Sequence, residues 1–165
     1  MLSASMLEKL NEQIRVEFES SNIYLQMSSW CAMNNYNGAA DFLLRHSEEE
    51  RQHMMKLFDY VNETGAMATV PALAQPKHEY ESLLKLFEET LEHEKFVTSR
   101  INALVDSALT EKDFSTFNFL QWYVAEQHEE EHLFSDIVDK IKLIGMEGRG
   151  LFLIDKEIGK MGFEG

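Results

Sequence analysis

The chain is short of almost everything that interrupts a helix or staples a fold. It has 2 Pro and 8 Gly in 165 residues, so long stretches contain no helix breaker. Its single cysteine, Cys31, excludes an internal disulfide framework and suits a reducing cytoplasm, where we expect the protein to reside. The same scarcity excludes a tetrathiolate iron centre. No apolar run approaches the roughly 20 residues that cross a bilayer. The opening MLSASMLEKLNEQ turns charged within eight residues, so a secretory leader is not expected. Positive charge is scarce as well, with 15 Lys and Arg against 29 Asp and Glu, a net charge of −14. Nucleic acid and anionic membranes are therefore poor partners, and cations are favoured ones.

What is abundant is Leu, Met, Glu, Lys and Ala, a composition that favours an all-α fold in a single domain over residues 1–165. Ser5 followed by Glu8 reads as a capping box opening a helix to about Asn34. After the NNYNG turn, Asn34 to Gly38, a second helix runs to about Thr64, with Gly65 as its stop. Residues 66 to about 81 hold both prolines, Pro71 and Pro76, and read as a long connection. Ser82 can cap a third helix ending near Leu109, and Asp113 a fourth ending near Gly145. A short fifth segment spans about Gly150 to Ile158. The 16-residue connection can reach about 50 Å when extended, against about 42 Å for a 28-residue helix. It can therefore cross the bundle end to end and leave the second and third helices parallel.

Each long helix shows a seam with steps of three and four. The first is Leu10, Ile14, Glu17, Ser21, Tyr24, Ser28, Cys31, and the second Ala39, Leu43, His46, Glu50, His53, Leu57, Tyr60. The third is Leu84, Phe87, Leu91, Glu94, Thr98, Ile101, Val105. The fourth is Leu120, Tyr123, Gln127, Glu130, Phe134, Ile137, Ile141, Ile144. All four are interrupted near the middle by a glutamate. Counting from the two turns, these glutamates fall at similar heights, with mismatches of roughly 3–8 Å that side chains can close. A single helical glutamate is usually solvated; four at one level are not an ordinary surface. Bare carboxylates cannot share a dry core, because desolvation and mutual repulsion would protonate some or unfold the bundle. Two divalent cations would resolve the conflict, and oxygen-rich ligation with one imidazole suits iron or manganese better than structural zinc. Glu50-x-x-His53 puts a carboxylate and an imidazole on one helix face, half of the helix-bundle di-iron pattern.

The segments LNEQ, EEERQHMMKLFDY and NFLQWYVAEQHEEEH, with the order of helices and the long loop, closely resemble the bacterial non-haem ferritins over essentially the whole chain. The resemblance implies a ferritin-like four-helix bundle with a long crossover between helices 2 and 3 and a short C-terminal fifth helix. It implies ferroxidase activity, with Fe(II) oxidised by dioxygen or peroxide and ferric oxyhydroxide stored in a hollow 24-subunit shell. It further implies an iron pair on Glu17, Glu50, His53, Glu94 and Glu130, with Glu50 bridging and Gln127 near the second iron. A third iron site would use Glu49, Glu126, Glu129 and Glu130. Tyr24 would lie beside the pair and supply a hydrogen bond or an electron, and Trp122 is a weaker candidate for an electron. The apolar run Leu151 to Ile154 would gather around four-fold axes. Haem is not expected, since the haem-binding methionine of bacterioferritins falls at Arg51.

Several residues also admit plainer readings. Tyr24 could be an ordinary core tyrosine with its hydroxyl satisfied. His46, one turn before Glu50, is read as a hydrogen-bonded structural histidine. His132 completes a second Glu-x-x-His with Glu129, yet it lies about 200° around the helix from Glu130 and should face away. A di-iron oxygenase or peroxidase with another substrate is the competing enzyme class. A structural bundle with incidental acidity, which would bind no stoichiometric iron, is the non-enzymatic alternative.

Overall fold

The structure, a computed structural model, describes residues 2–162. It contains α1 (Ala4–Met33), α2 (Asn37–Glu63), α3 (Leu83–Thr110), α4 (Phe114–Ile144) and α5 (Gly148–Lys160), with no strand among the described residues. The short turns after α1 and α3 make two antiparallel hairpins, α1–α2 and α3–α4, which pack along α1 and α3. Asn35 (φ 63°) and Lys112 (φ 57°) take the left-handed conformation in these tight turns.

The caps follow the sequence with one exception. Ser82 Oγ accepts from the Lys85 N–H and Asp113 from the Thr116 N–H, as expected of the helix starts. Gly65, at φ 81°, ends α2. At the N-terminus, however, Ser3 and not Ser5 is the cap. Its Oγ accepts from Met6 N at 3.0 Å and donates to Glu111 Oε2 at 2.6 Å on the far hairpin. Ser5 sits inside the first turn. The contact with Glu111 explains the choice, because it gives Ser3 a tertiary partner that local pattern does not reveal.

The connection between α2 and α3 runs the length of the bundle. It starts beside the beginning of α1, where Asn11 accepts from Thr69 N at 2.9 Å, and finishes where Tyr80 meets Trp30, 5.7 Å between ring centroids, near the end of α1. The second and third helices are therefore parallel, the arrangement that the loop length favoured. The buried stripes of α1, α2 and α4 match the seams read from sequence, except that Tyr60 is half-buried and Ile144 exposed. On α3 the stripe is rotated. Leu83, Leu86, Phe87, Thr90, Glu94, Val97, Ile101 and Leu104 are buried, while Leu84, Leu91, Thr98 and Val105 are half-buried at its margin.

α5 is two residues longer at each end than the segment read from sequence. Ile154 and Ile158 bury its inner face, and Asp155 caps α2 from outside, accepting from Gly38 N at 3.0 Å and Ala39 N at 2.9 Å. Gly38 and Gly159 allow this approach: a Cβ on Gly38 would stand 2.0 Å from the Asp155 carbonyl oxygen. Arg45 donates in return to the Gly159 and Met161 carbonyls at the end of α5. Phe152 and Leu153, from the apolar run at the start of α5, remain exposed on its outer face.

The core falls into two apolar clusters. One, toward α5, is built around Tyr24, Leu43, Phe87, Phe134 and Ile141. The other, toward the N-terminus, is built around Leu10, Leu57, Ile101, Leu120 and Tyr123. Each fully buried large side chain contributes about 1.5–3 kcal/mol, so the clusters can support a polar layer between them. That layer holds the glutamates.

Candidate metal centre

Heptad-like spacing brings Glu17, Glu50, His53, Glu94, Gln127 and Glu130 inward at mid-bundle, and all six are buried. Among the described residues, two groups have ligand atoms within 4.8 Å of one another: Glu17–Glu50–His53 and His46–Glu50–Glu130. Glu50 belongs to both and therefore stands between them. Its Oε2 lies 3.3 Å from His53 Nδ1 and its Oε1 3.9 Å from His46 Nε2.

The surroundings orient these groups. Gln13, one turn before Glu17, donates to Glu17 Oε1 at 2.8 Å. Tyr24 donates its hydroxyl to Glu94 Oε1, and Gln127 Nε2 donates to Glu94 Oε2 at 3.0 Å. His46 Nε2 donates to Glu130 Oε2 at 2.7 Å, with its ring stacked on Phe42 and edge-on to Phe134. The Tyr123 hydroxyl donates to the His53 carbonyl at 2.6 Å and anchors that turn of α2. Beside the centre, Ser21 and Ser47 exchange hydroxyl-to-carbonyl bonds of 2.8 and 2.7 Å, which lock α1 and α2 in register.

Two carboxylate oxygens at the heart of the layer, Glu17 Oε2 and Glu50 Oε1, are buried with no hydrogen-bond partner. Buried acceptors are normally satisfied. Burial pushes Glu17 up to about 7 against the bond from Gln13, and pushes Glu94 up to about 7 with the Glu130 charge adding to it. Glu50 is raised well above the carboxylate range by burial and by Glu94, Glu17 and Glu130. Burial also holds His53 down near 4, which leaves its imidazole neutral and able to ligate. On His46 burial opposes the charge, but the facing Glu130 outweighs it and the pKa rises. The unpartnered oxygens, the acids kept uncharged by burial and the neutral imidazole fit divalent cations.

The remaining sequence candidates lie at the edge. Glu126 is half-buried, 3.6 Å from His53 Nε2, and burial followed by the Glu130 charge raises its pKa. Glu49 reaches His46 Nδ1 at 3.4 Å from a more open position. Glu129 is exposed on α4; Glu49, Glu126, Glu129 and the buried Glu94 join neither convergent group. Trp122 stands edge-on to His53 at 5.2 Å. His132 is exposed, as its angular offset from Glu130 required. Tyr24 satisfies its hydroxyl on Glu94, and burial with that charge raises its pKa well above normal. Cys31 is buried in the apolar cluster. Sequence reasoning missed Gln13, Ser47 and His93. Gln13 and His93 lie off the chosen seams and had no periodic signal; Ser47 could have been found one residue after His46, facing the Ser21 already on the first seam.

Inward carboxylates from four helices, with a Glu-x-x-His motif on each of two of them, mark the carboxylate-bridged metal proteins built on four-helix bundles; this layer has all four carboxylate-bearing helices and one such motif, Glu50-x-x-His53. The Ferritin-like domain profile matches residues 7–144. A probable bacterial non-heme ferritin-like protein of Haemophilus influenzae is 56% identical over 161 residues, 98% of each chain. A bacterial non-heme ferritin of Escherichia coli is 51% identical, again over 98% of each. Among solved structures, an open pore ferritin from the archaeon Archaeoglobus fulgidus superposes with a TM-score of 0.95 at 44% identity, covering 97% of this chain and 99% of that one. Chlorobium tepidum ferritin gives 0.87 at 51% identity, covering 98% and 99%. The chain belongs to the ferritin family, and its relatives are bacterial non-heme ferritins.

Proposed function

We propose that the protein stores and detoxifies iron by oxidising Fe(II) at the buried carboxylate layer, in the cytoplasm, and by depositing ferric oxyhydroxide inside a 24-subunit shell. Ferritin membership supports iron storage and self-association. The observation that carries the oxidase reading is Glu50, shared by two convergent ligand groups, with one of its oxygens and one of Glu17's unpartnered in the interior.

Two Fe(II) ions are the substrate. Glu17 and His53 would hold one, Glu94 and Glu130 the other, with Glu50 between them and Gln127 beside the second. Their binding displaces the protons that burial keeps on Glu17, Glu50 and Glu94. His46 and Tyr24 restrain the outer oxygens of Glu130 and Glu94, so the ligands are aimed before the substrate arrives. Each Fe(II) gives up one electron and dioxygen or peroxide takes the pair; the protein supplies charge neutralisation and geometry. A third iron position would draw on Glu49, Glu126, Glu129 and Glu130 at the α2–α4 surface.

The test is anaerobic Fe(II) titration followed by stopped-flow oxidation in Glu50→Ala and Glu94→Ala. Both variants should still assemble, bind the pair weakly and oxidise at least about tenfold more slowly. Oxidation at wild-type speed in both would remove the assignment.

A further inference from the structure

The carboxylate layer is flanked by a cleft on one side and a cavity on the other, and the two differ in chemistry. On the α2–α4 side, a cleft of 310 Å³ leads straight to His53 between Glu49 and Glu126. Two carboxylates against one lysine, Lys56, whose ammonium lies over the Trp122 ring, leave its walls net acidic and suited to a cation. On the opposite side, beneath the crossover, a cavity of 340 Å³ lies between α1, α3 and the strap at Ala74–Lys77. Ile23, Met27, Ala74, Pro76 and Tyr80 form most of its walls; of its charged members, Lys77 bonds Glu89 at 2.7 Å and lies over the Tyr80 ring, and Glu19 is paired with Arg15 outside the cavity.

The inner wall of this cavity is His93. The Ser20 hydroxyl gives its proton to the Val16 carbonyl at 3.0 Å, so Ser20 accepts from His93 Nε2 at 2.7 Å and fixes that ring. The imidazole stands perpendicular to the Tyr24 ring, 6.0 Å between centroids, and Tyr24 holds Glu94 through its hydroxyl. One imidazole and one phenol thus stand between the cavity and Glu94.

We propose that dioxygen reaches the carboxylate layer through this cavity, passing the fixed edge of His93 beside Tyr24, while Fe(II) enters by the acidic cleft. The proposal rests on the ferroxidase reading. A small neutral oxidant gains nothing from an acidic cleft, whereas apolar walls favour small apolar guests such as xenon. Separate openings also keep a bound cation from obstructing the oxidant. Hydrogen peroxide, a polar molecule, has no such preference for the apolar side.

Two measurements test the route. Xenon-pressurised crystals of the assembled protein should show a xenon atom in the cavity. Ile23→Trp and Ala74→Phe, which fill it from α1 and from the strap, should leave anaerobic Fe(II) binding per subunit unchanged. In both, the dependence of oxidation rate on dioxygen concentration should fall at least about fivefold, while oxidation by hydrogen peroxide stays at the wild-type rate. An empty cavity under xenon overturns the proposal. So does an unchanged dioxygen dependence in both variants, or an equal loss with both oxidants, which would mean damage to the centre. If the wild-type protein itself does not oxidise Fe(II), the ferroxidase reading falls and takes this route with it.

Discussion

Replacing Glu17 with glutamine should stabilise the metal-free protein, and the gain should grow with pH. Burial raises the Glu17 pKa from 4.5 to about 7. Between those values the folded state keeps a proton that the unfolded state has lost. Wild-type stability therefore falls as pH rises through this window, and levels off once the folded carboxyl has also ionised. At 1.36 kcal/mol per pH unit, the Glu17 contribution amounts to about 3 kcal/mol. The amide suits the site: its oxygen can accept from Gln13 as Oε1 does now, and its N–H₂ replaces the unpartnered Oε2 facing Glu50. Burial of His53 and His93, both held near 4, works in the opposite sense between pH 4 and 6.5. Comparing the variant with wild type at each pH cancels those groups. Calorimetric melting of metal-free protein at fixed concentration, from about pH 4.5 to 8, should show the variant gaining about 6–12 °C over wild type across the range. Excess Zn(II) should reverse the order at high pH by stabilising the wild type more. A difference that stays flat with pH, or one that shrinks as pH rises, would refute the claim that a buried uncompensated acid sits there.

Other consequences are more direct. Co(II) binding without oxygen should release more protons per subunit at about pH 6 than at about pH 8.5, as read by calorimetry in buffers of different ionisation enthalpy; equal release would mean the acids are already ionised. Asp155→Ala removes the external cap of α2 and should cost about 1 kcal/mol, or about 2–4 °C in melting temperature. Gly38→Ala would push a methyl into the Asp155 carbonyl, so α5 should detach and become the first segment cut in limited proteolysis. Tyr123→Phe deletes the bond to the His53 carbonyl and should lower stability by about 1 kcal/mol, measured by urea unfolding.

Much of the architecture was legible because few residues oppose it. The seams of α1, α2 and α4 carry their glutamates at one level, and the sixteen residues around Pro71 and Pro76 are long enough for only one sensible path. The rotation of α3 was not legible, because two apolar stripes run side by side there. Leu84, Leu91, Thr98 and Val105 repeat as regularly as Leu83, Thr90, Val97 and Leu104; packing against α1 decides between them. Phe87, Glu94 and Ile101 belong to both stripes, so the ligand survived the error. The start of α1 depended on Glu111, more than a hundred residues away. The supporting polar groups that lie off the seams were the hardest to find. Gln13 and His93 act through single hydrogen bonds across or along helices, and neither leaves a period in the chain.

The reciprocal serine bonds make one half of the subunit rigid at the very height where Glu17, Glu50 and His53 emerge, whereas Glu94, Gln127 and Glu130 come from the other hairpin. Across that divide the layer is joined by single side-chain bonds: His46 on Glu130, Tyr24 on Glu94 and Tyr123 on the His53 carbonyl. A cation held between Glu50 and Glu130 would act as a clasp, tying the two hairpins together at this height.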